Sequence, residues 1–275
     1  MLQITSADVV AKPFPHVVKD GILPADLYKA LRADFPDAGV FKGQSSSNGQ
    51  AGSRTGSGFD VYRGDAAFTE LTGRSAAWRE FSGYINSEAF ADTFRSVFAD
   101  HLDEIGLRVD IRGSHINPEY CEPREVLTET ATFGDKVASA INTITDPFRR
   151  VHPTELFTRL DVHKSLGGYA KTAHCDRPNR LASLIVYFTD AEKVGLEGGD
   201  LLLFEHKEAK PVRKYERHPS ADNVNQIGQL RPRENLGVFF PCQNNSYHGV
   251  TPVVGSSVAR DFLYINISGR TASLW

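Results

Sequence analysis

The chain has 275 residues, enough for one large domain or for a domain with a substantial extension. Apolar residues make up 40% and charged residues 24%, the balance of an ordinary globular protein and not of a disordered or fibrous one. With 31 Lys and Arg against 34 Asp and Glu the formal charge is −3, which leaves no global attraction to nucleic acid or to an anionic membrane.

At the N-terminus, MLQITSADVVAKPFPH lacks a basic segment followed by an apolar core, so no secretory signal is expected. No apolar run reaches 18 residues, so no membrane-spanning helix is expected either. Residues 13–36 read as a short strand, a turn and a helix. Pro24 opens the helix, Leu27, Leu31 and Phe35 recur at helical spacing, and Pro36 ends it. Residues 41–60 are rich in Gly and Ser and bury too little apolar surface to order themselves. They are expected to form a flexible surface loop or, alternatively, a lid over substrate.

Residues 74–105 carry two amphipathic patterns. Trp78, Phe81 and Ile85 mark one helix; Ser87 caps a second that carries Phe90, Phe94, Phe98 and Leu102 on one stripe. His101 and Asp103 lie in this helical stretch, where side chains two apart diverge by about 200° and cannot easily share a metal. Between 107 and 150 short strand-like pieces (LRVDIRGSHI) alternate with a helix-compatible GDKVASAINTI. Residues 1–150 are thus expected to form a mainly helical portion.

From Leu156 the texture changes to short strands bounded by Gly, Pro, Asn and Asp: LFTRLDVHK, GYAKTAHC, LASLIVYF, DLLLFEHK, NLGVFFP, YHGVTPVV and ARDFLYINI. Such a series suggests an antiparallel sandwich or jelly roll. His174 and Asp176 fall at the end of one strand, on one face, about 6.6 Å apart at the backbone. RPN at 177–179 supplies the strand end, and a sheet that folds back brings His248 alongside. Two imidazoles and one carboxylate are the ligand set of a non-haem Fe(II) oxygenase, with open positions left on the metal. Cys175 points to the other face, so a thiolate ligand is not expected. Cys121, Cys175 and Cys242, odd in number and without CxxC spacing, fit a reducing cytoplasm, which also keeps iron ferrous.

The ordered set GGY, HCD, LIVYF, EGGDLLLF, GVFFP, HGVTPV and an arginine on the last strand resembles the 2-oxoglutarate/Fe(II)-dependent dioxygenase superfamily, particularly its prolyl-hydroxylase-like branch. The resemblance covers about Leu156 to Gly269. It implies an α+β, mainly β fold: a double-stranded β-helix (jelly-roll) catalytic core over 156–269, with N-terminal helices packed on one sheet, the whole chain forming a single oxygenase domain. It also implies that His174, Asp176 and His248 hold the metal, that Arg260 pairs with the C5 carboxylate of 2-oxoglutarate, and that Tyr187 hydrogen-bonds the same co-substrate. A guanidinium forks onto a carboxylate through two parallel hydrogen bonds, which suits that role. Arg260 lies twelve residues beyond His248, through an extended VVGSSV turn; a surface arginine is the alternative.

The implied cofactors are Fe(II), 2-oxoglutarate and O2, with ascorbate as a candidate reductant. Asp176 fills the position that related halogenases leave small for chloride, so hydroxylation is the expected outcome. Arg177 and Arg180 follow the metal motif and are candidates for a substrate carboxylate, or else solvated turn residues. His163 and Lys164 are expected at exposed strand positions, with a place lining the pocket as the alternative, and the basic run 207–218 in a solvated hairpin or loop, with substrate contact as the alternative. The expected partner is a small-molecule substrate such as a free amino acid, and the expected compartment is the cytoplasm. A peptidyl prolyl-type hydroxylase and a non-catalytic jelly-roll metal- or ligand-binding sensor are the alternatives.

Overall fold

The computed structural model describes residues 1–41, 54–55, 58–123, 152–208, 216–255 and 258–275. The helix expected over GDKVASAINTI and most of segments 41–60 and 207–218 lie outside them. In chain order come β1 (Val9–Val10), β2 (His16–Asp20), α1 (Ala25–Ala33), β3 (Arg54–Thr55), β4 (Gly58–Tyr62), α2 (Ala66–Arg74), α3 (Ala76–Ile85), α4 (Glu88–Val97) and β5 (His115–Ile116). Then follow β6 (Glu155–Ser165), β7 (Ala170–His174), β8 (Arg180–Tyr187), β9 (Leu201–His206), β10 (Val224–Leu230), β11 (Leu236–Pro241), β12 (His248–Val250) and β13 (Arg260–Gly269). The fold is mainly β with few helices. Among the described residues no helix is long and apolar enough to cross a membrane.

The strands form two sheets. The larger has the order β1-β2-β11-β8-β13-β6-β4, with β5 added parallel to β6; the smaller has the order β10-β9-β12-β7-β3. Strands far apart in sequence are therefore neighbours, as when β12 inserts between β9 and β7.

β13 shows why the large sheet is covered on both faces. Leu263, Ile265 and Ile267 join the apolar cluster that includes Trp78, Phe81, Phe90 and Phe94 of α3 and α4. Phe262 and Tyr264, alternating with them, join a second cluster with Leu201 and Leu203 of β9 in the small sheet. The aromatic stripe expected on α4 packs on Phe239 of β11, whose ring centroid lies 5.9 Å from Phe90, 6.0 Å from Phe94 and 5.4 Å from Phe98. The Trp78 indole N–H donates to the Leu31 carbonyl at 3.1 Å and ties α3 to α1.

Local expectations fare unevenly. α1 starts after Pro24, as read, but ends at Ala33, so Phe35, read on its apolar stripe, lies beyond the helix and Pro36 is not its direct stop. Ser87 stands at the N-cap of α4, but its hydroxyl donates backward to the Tyr84 carbonyl at 2.7 Å; it is Ser75 that caps its own helix, accepting from the Trp78 amide. The Gly/Ser segment was expected to form a flexible surface loop or a lid; of its described residues, Arg54–Thr55 pair with β7, and the last ones enter β4, which pairs with β6 from Gly58↔Ser165 to Tyr62↔Asp161. The order is supplied by hydrogen bonds to β6 and not by the segment's own composition. His163 and Lys164, expected to be exposed, are 2% and 8% exposed, because β6 is covered on both faces.

Phe239 anchors three helical rings at once, so Phe239→Ala should lower stability by about 3–5 kcal/mol in chemical denaturation. A loss under about 1 kcal/mol would show that α4 is not held to the sheet by this contact.

Candidate metal centre

His174 ends β7 and His248 opens β12, and the antiparallel pairing makes them direct Cα partners. Their ring centroids are 4.3 Å apart. Asp176 follows just past the end of β7, where the chain leaves the sheet. All three residues are buried, and their ligand atoms lie within 4.8 Å of one another, the one such His/Cys/Asp/Glu group among the described residues. His101, in a short 3-10 turn, pairs with Glu104 at 3.5 Å and belongs to no such group.

Hydrogen bonds set the imidazole tautomers. Nδ1 of His174 lies 2.9 Å from the Thr172 carbonyl, and Nδ1 of His248 lies 3.0 Å from the Ser246 carbonyl. A carbonyl only accepts, so each Nδ1 donates and each Nε2 keeps its lone pair. Nε2 of His174 is buried without a hydrogen-bond partner. Burial pushes both imidazole pKa values down, that of His174 well below the ordinary value and further through its neighbour His248, so both rings stay in the neutral, ligating form.

Among the described residues, Arg180, Tyr264, Ser183 and Cys242 each donate to Asp176. Arg180 Nη1 and the Tyr264 hydroxyl reach one carboxylate oxygen at 3.0 and 2.9 Å. The Ser183 hydroxyl and the Cys242 thiol reach the other at 2.6 and 3.5 Å. Asn266 Nδ2 donates to the Ser183 hydroxyl at 2.8 Å and orients it. Burial would raise the Asp176 pKa, but the Arg180 guanidinium and the Ser183 hydrogen bond oppose it and hold the carboxyl well below the usual range. Burial, then the Asp176 charge, pushes the Cys242 thiol well up, so it remains a protonated donor. Cys175 lies off the site, its thiol 3.7 Å from the Glu216 carbonyl.

Arg260 opens β13 and is 1% exposed, so the longer turn before it does not carry it to the surface. Its Nη2 donates to the Tyr187 hydroxyl at 3.0 Å, and its guanidinium lies 4.3 Å from the Phe262 ring centroid. Nε and Nη1 are buried with no hydrogen-bond partner among the described residues. Two unpaired nitrogens on a buried cation, with three N–H bonds between them, form a receptor for an anion. Burial raises the Tyr187 pKa, so its hydroxyl is protonated. Gly199, at φ +75°, makes the room: a Cβ there would stand 2.9 Å from Arg260 Cδ.

The other expected residues lie nearby in different roles. Arg180 is buried on Asp176, and Arg177 Nη2 contacts Glu122 at 3.3–3.4 Å, so neither is a solvated turn residue. Lys164 turns to the opposite face and bonds Asp261 at 2.5 Å. A cavity of about 480 Å³ opens on that face, lined by Arg32, Phe35, Lys164 and Asp261 among others, and none of the three candidate ligands borders it. Tyr264, Ser183 and Asn266 were missed by the sequence reading; their only signal is alternation, which puts polar residues on the inner face of β8 and β13.

Residues 160–265 match the family model of the 2OG-Fe(II) oxygenase superfamily. The match runs from within β6 to within β13 and takes in all three candidate metal ligands and Arg260. No curated protein matches the chain. In fold the chain is similar to a prolyl-4-hydroxylase of Pseudomonas putida, at 15% identity and a TM-score of 0.50, over 93% of this chain and 92% of that one. It is also similar to prolyl 4-hydroxylase from Phytophthora capsici, at 14% identity and a TM-score of 0.45 over 94% of this chain and 60% of that one. A prolyl hydroxylase from Trichoplax adhaerens, solved with a hypoxia inducible factor peptide, matches at 11% identity and a TM-score of 0.42 over 92% and 83%.

The superfamily uses Fe(II), 2-oxoglutarate and O2, and the residues present fit them: buried imidazole lone pairs and a carboxylate for the metal, unpaired guanidinium nitrogens for a dicarboxylate. Gly199→Ala should crowd Arg260 and weaken 2-oxoglutarate binding by roughly 10–100-fold, the worth of a charged hydrogen bond, as read by calorimetry. Tyr264→Phe removes one donor from Asp176 and should cost about 10–100-fold in Co(II) or Mn(II) affinity; an unchanged binding isotherm would show that Tyr264 does not orient the carboxylate.

Proposed function

We propose that the chain is an Fe(II)- and 2-oxoglutarate-dependent hydroxylase acting on an unactivated C–H bond of a small metabolite such as a free amino acid. In this reading residues 1–275 form one oxygenase domain with a double-stranded β-helix core over 156–269. The observation that carries it is the pairing of His174 with His248 beside a buried Asp176, together with a buried Arg260 that keeps two unpaired nitrogens.

His174, Asp176 and His248 would hold the metal through two imidazole nitrogens and one carboxylate. Bound there, Fe(II) supplies O2 activation coupled to 2-oxoglutarate decarboxylation, with succinate and CO2 as by-products. Arg260 would fork onto the distal carboxylate of 2-oxoglutarate, and the Tyr187 hydroxyl would orient Arg260 and donate to the same carboxylate. Arg180, Tyr264, Ser183 and Cys242 hold the Asp176 carboxylate ionised and fixed, which keeps that coordination position filled and favours hydroxylation. The buried, largely apolar surround of Phe240, Phe262 and Leu203 excludes water from the site.

A second reading, hydroxylation of a peptidyl proline, draws support from the Pseudomonas putida protein of similar fold, which is named a prolyl-4-hydroxylase. A non-catalytic binding protein is disfavoured, because it would have no use for a ligand triad and an anion receptor set side by side.

With Fe(II), 2-oxoglutarate and ascorbate the chain should release succinate, and the rate should rise with a suitable substrate. Asp176→Ala should lower that rate at least about 100-fold along with iron affinity. Succinate release that is absent under every condition, or untouched by the substitution, would defeat the proposal.

A further inference from the structure

We propose that the primary substrate carries a free carboxylate, received beside the metal centre by the guanidinium groups of Arg159 and Arg177. This rests on the oxygenase reading and names the substrate class for it.

The inner wall of the large sheet is divided. On the β8 and β11 side it is apolar, with Ile185, Val238 and Phe240. On the β6 and β4 side it carries buried Asp60, Arg159 and Asp161. Register places this charged half against the metal centre: Asp161 is the Cα partner of Tyr264, which bonds Asp176, and Arg159 is the partner of Asn266, which bonds Ser183. Glu122 closes the group, 3.8 Å from Arg159 Nη1 and 3.3 Å from Arg177 Nη2. Arg177 itself comes directly after Asp176 in the chain.

Burying so many charges costs several kcal/mol per ion unless each is fully paired, so a wall like this is poor scaffold and a good receptor. What is left unpaired tells the sign of the ligand. Arg159 Nε bonds Asp161 at 2.7 Å, but Arg159 Nη1 and Arg180 Nε are buried with no hydrogen-bond partner among the described residues, and no carboxylate oxygen is left so. Asn266 Oδ1, also buried without a hydrogen-bond partner among the described residues, is neutral and selects no charge. The Glu122 contacts are long for ion pairs and can be shared or displaced. Arg177, with 15% of its side chain exposed, is the reachable end of the group. An arriving carboxylate would bridge Arg159 Nη1 and the Arg177 fork, beside Asp176.

The test uses the full chain with Fe(II), 2-oxoglutarate and ascorbate. Probes are the free L-amino acids and simple aliphatic carboxylic acids, each beside its primary amide, plus N-acetylated, C-amidated proline peptides. An acid should stimulate succinate release and bind the metal-free protein in calorimetry, and its amide should do both roughly 10–100-fold less well. Arg177→Gln should raise KM for the acid and erase the acid-over-amide preference, and Arg177→Lys should restore part of it, which a purely structural role would not do. Amides or blocked peptides acting as well as acids, or an unchanged preference in Arg177→Gln, would overturn the proposal. So would failure of every acid while succinate still forms without substrate, a result that leaves the oxygenase reading standing. Absence of succinate throughout strikes that reading first and this one with it.

Discussion

The rest of the structure hangs on one buried negative charge. Asp176 is 2% exposed, and an isolated carboxylate there would protonate or unfold its surroundings. It stays ionised because donors reach it from four places: Arg180 at the start of β8, Ser183 within β8, Tyr264 on β13, and Cys242 just past β11. All of these belong to the large sheet or its ends, whereas His174 and His248 stand on the small one. The carboxylate is thus the joint between the sheets, and the ligand set exists only when both are in register.

That geometry explains what the sequence could and could not reveal. His174 and Asp176 were legible because strand alternation is local, and His248 because its motif follows in order. Tyr264 and Cys242 touch Asp176 across 88 and 66 residues of chain, and no local pattern marks such a contact. β10 was missed for a different reason: VNQIGQL lies on a sheet edge with its middle exposed, so it carries no apolar alternation. α2 shows only Phe68 and Leu71 as buried anchors, too short a stripe to read as a helix. The failure at His163 and Lys164 is instructive, since alternation predicts which residues share a face but not whether the other face is also covered.

The EGGD run shows a motif whose physical content emerges only in three dimensions. Gly198 and Gly199 both adopt positive φ, as a turn would ask, and read alone they say no more than that. The neighbours say more. A Cβ on Gly198 would strike the Pro252 carbonyl, and one on Gly199 would press on the Arg260 side chain. The glycines therefore seat the β12–β13 connection and leave the arginine its place, which couples a turn before β9 to the first residue of β13, some sixty positions later.

The two arginine regions also differ in a way that bears on mechanism. Arg260 is enclosed by Tyr187, Phe262 and Gly199, with one neutral hydroxyl as its hydrogen-bond partner. Such a site is rigid and selective for a ligand that brings its own charge. Arg159 and Arg177 are instead surrounded by carboxylates they can trade. A carboxylate arriving there would share the guanidinium groups with Glu122 in surroundings that are already polar. In the proposed reaction both ligands exchange in every turnover, since 2-oxoglutarate leaves as succinate, so the contrast is one of pairing: the first arrangement takes a carboxylate without displacing another, and the second shares its guanidinium groups with carboxylates already present. In the proposed reading Arg260 takes the carboxylate of the co-substrate and the Arg159–Arg177 pair that of the substrate, while the apolar β8–β11 side of the inner wall, with Ile185, Val238 and Phe240, limits the access of water.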